Sequence, residues 1–336
     1  MMTSSVFTTT NGSRPAQWGA KAGQADGPQP VMMTPAMRTA FATTLADAMD
    51  EDARLALVLA DISVPMLHAA AERHPTRVFN VGIREQLMIG VAGGLGLAGM
   101  RAVVHTFPPF LVERPFEQIK IDLGHQDVGA VLVSFGGSYD MYAVGRSHQS
   151  PSDVALLDSL HGWTVHVPGH PDEAAALLRS AYAAQGRVYV RLSIQSNTEP
   201  QPVDPSGRLR IVREGRRGVV LAVGPMLGRV LAATANLDVT VAYAATVRPL
   251  DRTGLRAAVL LADQQDLVLV EPYLAGTSAH LAGEALEDVP HRIRALGVGR
   301  DQELRQYGSA FALNAAHGLD VPGIAASVAA FLDQGR

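Results

Sequence analysis

The chain reads as an α/β protein of two domains, each a mostly parallel sheet covered by helices on both faces. Three observations predict this. Short apolar runs recur along the sequence: LALVLA (55–60), RAVVHT (101–106), AVLVS (130–134), WTVHV (163–167) and VYVRL (188–192), then GVVLAV (218–223), DVTVAYA (238–244), DLVLVE (266–271) and RIRALG (292–297). Continuous runs of this length belong to strands buried on both faces rather than to a half-solvated sheet. Segments of helical length lie between them, around 65–74, 84–98, 111–125, 151–161 and 172–184, which gives a βαβ rhythm. A Pro-, Ser- and Asn-rich stretch, SIQSNTEPQPVDPSG (193–207), then interrupts the rhythm before it resumes. The sequence therefore divides into a first domain at 31–192, a linker at 193–207 and a smaller domain at 208–336. A length of 336 residues accommodates two such units.

Residues 1–30 are rich in Ser, Thr, Gly, Pro and Gln without apolar periodicity and read as a flexible tail. The first helix follows as MRTAFATTLADAM, with Thr34 as its cap and Pro35 at its first position. After the first strand comes the most informative stretch, FNVGIREQLMIGVAGGLGLAG (79–99). Beyond its polar opening, Leu87, Met88, Ile89, Val91, Ala92, Leu95 and Leu97 leave no hydrophilic face, so this helix is expected to be buried on every side. Gly93, Gly94 and Gly96 each cost about 1 kcal/mol of helix propensity, tolerable where another backbone approaches closely. Glu85 stands at the mouth of this helix, where poor solvation favours the protonated carboxyl unless something compensates. On these residues alone Glu85 is either a capping group complementing the helix dipole, with Asn80 as a nearby cap, or a chemical one.

Composition narrows the function classes. A net charge of −4 leaves no nucleic-acid footprint, and no apolar run reaches the length of a membrane span. Zero cysteines exclude disulfides, thiolate metal sites and a Cys nucleophile. The start lacks a basic segment followed by an apolar one, so a cytoplasmic enzyme is expected.

Four local features converge on chemistry: Glu85 in VGIREQ; Phe107 and Phe110 in HTFPPFLVERPFEQIKID (105–122), just past a strand; the loop GGSYDMYAVGRSHQSPSD (136–153), with Ser147-His148-Gln149 before a helix; and VRPLD (247–251) with LVEP (269–272). In this order and on these βα junctions they resemble the transketolase family, specifically its C-terminal half, over about residues 34–336. The resemblance implies thiamine diphosphate chemistry. It makes Glu85 the carboxylate that contacts N1′ of the aminopyrimidine and stabilises the imino tautomer, whose exocyclic nitrogen removes the thiazolium C2 proton. It makes Phe107 and Phe110 the aromatic walls of the pyrimidine, with Ile83 beside Glu85 among the cofactor-binding residues. His148 becomes the histidine that lines the substrate channel and positions or protonates the donor oxygen, with Arg146 and Arg114 as substrate-side cations. Without the resemblance, the two phenylalanines read equally as core and His148 as a surface or cap residue. His105 stands where the family usually has Gly or Ser, and could reach the cofactor.

What the chain lacks is equally telling. The family's Mg²⁺ and diphosphate site carries a G-D-G motif followed some way on by Asn, as suits a hard cation, and Ala25-Asp26-Gly27 is no substitute. The resemblance thus implies a small subunit of a split enzyme, with Mg²⁺ ligands on an N-terminal transketolase subunit in an α₂β₂ assembly and the glycine-rich helix at a protomer interface. Family groups that grip a sugar phosphate are replaced here by Gly136, Val144, Ile194 and Pro65, although Arg146, Arg114 or Arg191 could compensate. The expected activity is transfer of a two-carbon ketol or acyl unit with a non-standard small-molecule substrate, in secondary metabolism. Two alternatives remain: the β subunit of a 2-oxo acid dehydrogenase, and a non-catalytic scaffold subunit.

Overall fold

The computed structural model describes residues 36–334. The expected tail at 1–30 and the Thr34–Pro35 cap lie outside the described residues. The strands are β1 (Leu55–Leu59), β2 (Val78–Asn80), β3 (Arg101–Thr106), β4 (Ala130–Phe135), β5 (Trp163–His166), β6 (Arg187–Leu192), β7 (Arg210–Arg213), β8 (Val219–Val223), β9 (Thr240–Ala244), β10 (Thr246–Arg248), β11 (Asp266–Leu274) and β12 (Arg292–Val298). They form a seven-stranded sheet, β10-β5-β6-β4-β3-β1-β2, and a five-stranded sheet, β12-β11-β8-β9-β7. Pairing is parallel except for β10 on β5 and β7 on β9. Helices cover both faces, so the molecule is α/β with two mostly parallel sheets.

Every apolar run singled out above is a strand, and the physical reason is visible in the first sheet. Leu57, Val103, Val131, Val133 and Val190 point to a layer containing helices Ala36–Glu51 and Pro171–Ala183. The alternate residues Val58, Val104, Leu132 and Tyr189 point to the opposite layer, against helix Glu85–Leu97. A strand buried on both faces cannot alternate polar with apolar residues, hence the unbroken runs. The strands the apolar runs do not mark are β2, β7 and β10. The first and last span three residues each, and β7 is exposed or half-buried throughout.

The two lobes share packing. Val223, Val247 and Tyr273 of the second half join a core cluster of the first sheet, and Tyr139 and Leu177 of the first half join a core cluster of the second. Segment 193–207 holds no helix or strand, and its side chains grip both sides. Ser193 Oγ and Gln195 Nε2 donate to Asp140 at 2.6 and 2.7 Å, and Asn197 Nδ2 donates to the Gly224 carbonyl at 3.1 Å.

The expectation that helix Glu85–Leu97 is buried on every side is corrected. Met88, Ile89, Ala92 and Gly93 are buried, but Leu87 is 48% and Leu97 66% exposed, so an apolar stripe faces outward. The sheet can cover only one side of a helix; the other side of this one is apolar and not covered by the described residues. The glycines divide accordingly. A Cβ at Gly93 would lie 2.9 Å from the Asp122 carbonyl oxygen and one at Gly96 would lie 2.1 Å from Val128 Cγ1, whereas one at Gly94 would meet nothing within 4 Å. The apolar stretch Ala310–Asp333 reaches a mean hydropathy of 1.3 yet is two helices, Ala310–Ala316 and Val321–Asp333. They break at Gly318 (φ +66°), and Leu313, Ile324, Val328 and Leu332 are buried in the core of the second sheet.

Candidate active site

The candidate residues gather at the carboxyl ends of β2, β3 and β4, where an open parallel sheet leaves its crevice. Phe107 follows β3 directly and begins a helical run of two wide π turns, Pro109–Glu113 and Ile119–His125, around the single α turn Phe116–Gln118. Widened turns of this kind re-aim side chains that a regular helix would align with its axis. Here they set the Phe107 and Phe110 rings edge to face, 6.3 Å apart at 65°. His148 stands edge-on to both, 5.6 Å from Phe107 and 4.9 Å from Phe110. Burial, and then the positive charge of Arg114, hold its imidazole below the usual histidine range, so the ring is neutral at pH 7. Ser147 Oγ lies 3.0 Å from His148 Nδ1.

Glu85 is the first residue of its helix and only 3% exposed. The capping role suggested for Asn80 is not realised. The Asn80 side chain instead accepts from the amides of Asp61 and Gly82 at 3.1 Å each, organising the preceding turn. What compensates the buried carboxylate is Arg114, whose Nη1 donates to Glu85 Oε1 at 2.6 Å while its guanidinium sits 4.3 Å over the Phe110 ring. Glu85, Arg114, Phe110, His148 and Phe107 are therefore joined by successive contacts, with Glu85 at one end. The second oxygen of Glu85 accepts no hydrogen bond from a described residue. A buried carboxylate anchored through one oxygen can present the other to a hydrogen-bond donor of a bound heterocycle.

The remaining expected residues are arranged differently. Ile83 is in the turn before Glu85 and is 71% exposed. Arg146 turns away from the aromatic pair: its Nε donates to Glu303 at 3.0 Å and its Nη1 to the Gln149 carbonyl at 2.7 Å. Arg191 is removed as a substrate cation altogether, because it is 2% exposed and its Nε donates to the fully buried Asp153 at 2.7 Å. His105 does not reach the cofactor side either. Fully buried, it packs against Phe41 with ring centres 4.6 Å apart and planes tilted by 41°, takes Ser63 Oγ at Nε2 (2.7 Å) and donates from Nδ1 to the Val133 carbonyl (2.8 Å). Burial lowers its pKa to about 3, so it is a neutral core histidine.

Several contacts carry no signal in the sequence. Glu113 Oε1 accepts from Ser150 Oγ at 2.8 Å and Ser152 Oγ at 2.7 Å, tying the end of the His148 loop to the aromatic run. Arg38, half-buried, donates to Ser63 Oγ at 2.6 Å and lies 5.1 Å over the Phe135 ring. Phe135 touches Phe107 at 6.5 Å, so a second cation borders the aromatic row. No motif spacing marks these partners, which are close only because β1, β3 and β4 are near neighbours in the sheet. Among the described residues no three His, Asp or Glu side chains gather as a metal-ligand set.

Residues 33–199 match the family model described as transketolase, pyrimidine binding domain. The chain belongs to the transketolase family. The second lobe follows the same relationship in three dimensions. A structure described as split gene transketolase, inactive beta4 tetramer, superposes with a TM-score of 0.75 at 26% identity, covering 89% of this chain and 99% of that one. An uncharacterized 33.6 kDa protein in the fasciation locus of Rhodococcoides fascians is 54% identical over 296 residues, covering 88% of this chain and 95% of that protein. An apulose-4-phosphate transketolase subunit from Actinobacillus succinogenes is 26% identical over 74% of this chain and 83% of its own length. Against the longer 1-deoxy-D-xylulose-5-phosphate synthases that it also matches, this transketolase-family chain spans 42 to 50% of their length.

Proposed function

We propose that this chain is the pyrimidine-binding subunit of a split, thiamine diphosphate-dependent transketolase that moves a two-carbon ketol or acyl unit. The observation that carries the reading is the contiguous set Glu85–Arg114–Phe110–His148–Phe107, a buried carboxylate joined to an aromatic wall and a neutral imidazole. Its donor set fits an aminopyrimidine. The oxygen of Glu85 that no described residue engages would share a proton with N1′, Phe107 and Phe110 would flank the ring, and His148 would meet the donor's oxygen as a neutral imidazole able to donate or accept a hydrogen bond. Thiamine diphosphate supplies a carbon nucleophile for carbonyl groups. Mg²⁺ and the diphosphate belong, in this reading, to a partner chain of the kind that the names of two relatives, one a transketolase subunit and one a split-gene product, imply for those proteins. The substrate is not a typical pentose phosphate, because Gly136, Val144 and Ile194 replace phosphate-side groups and Arg191 is committed to Asp153.

Two measurements test this. Calorimetric titration with thiamine diphosphate and Mg²⁺ is expected to give tight binding only after the chain is mixed with the diphosphate-holding subunit. Tight binding by the chain alone, or none by the mixture, would refute the split-site reading. Rapid turnover of xylulose 5-phosphate with ribose 5-phosphate would refute the substrate reading.

The outward stripe of Ile83, Leu87, Gly94 and Leu97 is covered, in the same proposal, by a second copy of this chain. The open space at Gly94 admits a neighbouring backbone, and the stripe begins beside Glu85, so the site and the interface are continuous. Leu87→Asp places a carboxylate in that contact. It is expected to weaken self-association by about a hundredfold or more, seen by sedimentation velocity as a smaller species. An unchanged sedimentation coefficient would move the interface elsewhere.

A further inference from the structure

The loop that carries His148 is held as much by the C-terminal lobe as by its own. Ser138 Oγ donates to the Pro272 carbonyl. The Tyr139 hydroxyl meets His317 Nε2 at 2.9 Å, with the two rings 9° from parallel and 5.4 Å between centres. Gly145, at φ +84°, lies so close to Tyr307 that a Cβ there would come within 2.7 Å of the phenol oxygen. Arg146 Nε donates to Glu303 at 3.0 Å. His317 is itself oriented: the Gly299 amide donates to its Nδ1 at 3.2 Å, which leaves the proton of the neutral ring on Nε2, directed at Tyr139.

These attachments bracket His148. On one side are Tyr139, Gly145 and Arg146, fixed to 303–317; on the other is Ser150, fixed to Glu113. Between them the imidazole meets Ser147 Oγ, which travels with the loop, and among the other described residues it makes ring-edge contacts to Phe107 and Phe110. Edge contacts of this kind tolerate sliding, so where the ring stands depends on where the loop is anchored.

We propose that segment 299–317 of the C-terminal lobe is a positioning element for His148, acting through Tyr139, Gly145 and Arg146, with His317 as its central residue. The inference rests on the reading that His148 faces the substrate. The C-terminal lobe then takes part in donor recognition without touching the donor. Losing an anchor widens the range of loop positions, so productive ones become rarer while the cofactor-side residues Glu85, Phe107 and Phe110 are undisturbed.

Hydrogen exchange of the full chain, read by mass spectrometry, tests the anchor without any substrate. His317→Ala is expected to speed amide exchange across 139–149 by about tenfold while β3 and β4 are unchanged. Tyr139→Phe keeps the ring and removes only the hydroxyl, so it reports even if His317→Ala fails to fold, and should shift exchange in the same direction. In the complex with the partner subunit, both variants should raise KM for the donor or lower kcat with cofactor affinity unchanged. His317→Gln, which can still donate to Tyr139, should recover part of the loss. If exchange in 139–149 does not change while His148→Ala does lower turnover, the positioning role is overturned and the site reading stands. If the loop loosens but His148→Ala leaves turnover intact, it is the reading of His148 that falls, and the loop has no substrate-side residue to position.

Discussion

Glu85→Ala in the assembled enzyme is expected to lower turnover by about 10²–10⁴-fold, the range lost when a positioned acid–base group is removed. The size of the effect follows from the carboxylate's setting. It is nearly fully buried, Arg114 engages one oxygen, and no described residue engages the other, so none of the described neighbours stands ready to substitute for it. Glu85→Gln sharpens the test, because it keeps the volume and an acceptor oxygen but cannot exchange a proton. Equal losses in both variants assign the effect to proton handling, whereas a milder Gln variant assigns it to hydrogen bonding. Turnover is read alongside thermal melting, which separates lost chemistry from lost folding. Full activity in both variants would favour a scaffold role over a catalytic one.

Asp153→Ala is expected to destabilise the fold by about 3–5 kcal/mol, because breaking a buried ion pair from one side strands the other charge. Asp153 Oδ2 accepts from Arg191 Nε at 2.7 Å and from the Tyr189 hydroxyl at 2.7 Å, and neither acid nor guanidinium is reached by solvent to any extent. Arg191 also donates to Ser138 Oγ at 2.8 Å and lies 5.6 Å over the Tyr273 ring, so its loss of a counter-ion is felt at the junction of the lobes. Urea denaturation measures the effect. The double variant Asp153→Leu with Arg191→Met should recover most of the stability, since it removes both charges and keeps the volume filled. A double variant as unstable as the single one would show that packing, not the unpaired charge, sets the cost.

The contrast between what the sequence discloses and what it hides has a physical pattern. Strands buried on both faces leave unbroken apolar runs, so the sheets are legible, as is Glu85 at the start of an apolar helix. The exposed stripe on that helix is not, because its residues are as apolar as the buried ones and only the covering sheet distinguishes the two sides. Arg191 looks like an available cation because a charge in a strand gives no sign of its partner; Asp153 is 38 residues away. For the same reason the sequence does not disclose that Arg114, expected as a substrate-side cation, engages Glu85 at 2.6 Å. The Tyr139–His317 contact spans 178 residues and belongs to no local motif.

β10 has a consequence for how the molecule can be divided. This three-residue strand is contributed by the second half but completes the edge of the first sheet, pairing Thr246 with His166 and Arg248 with Val165. A fragment ending at the linker would leave β5 as a bare edge, with unsatisfied backbone groups ready to template a neighbour. The two halves are therefore not interchangeable cassettes. Any recombination that replaces the second lobe must bring along a strand able to close a sheet it does not own, and a chimera lacking one would be prone to aggregate before its chemistry could be assayed.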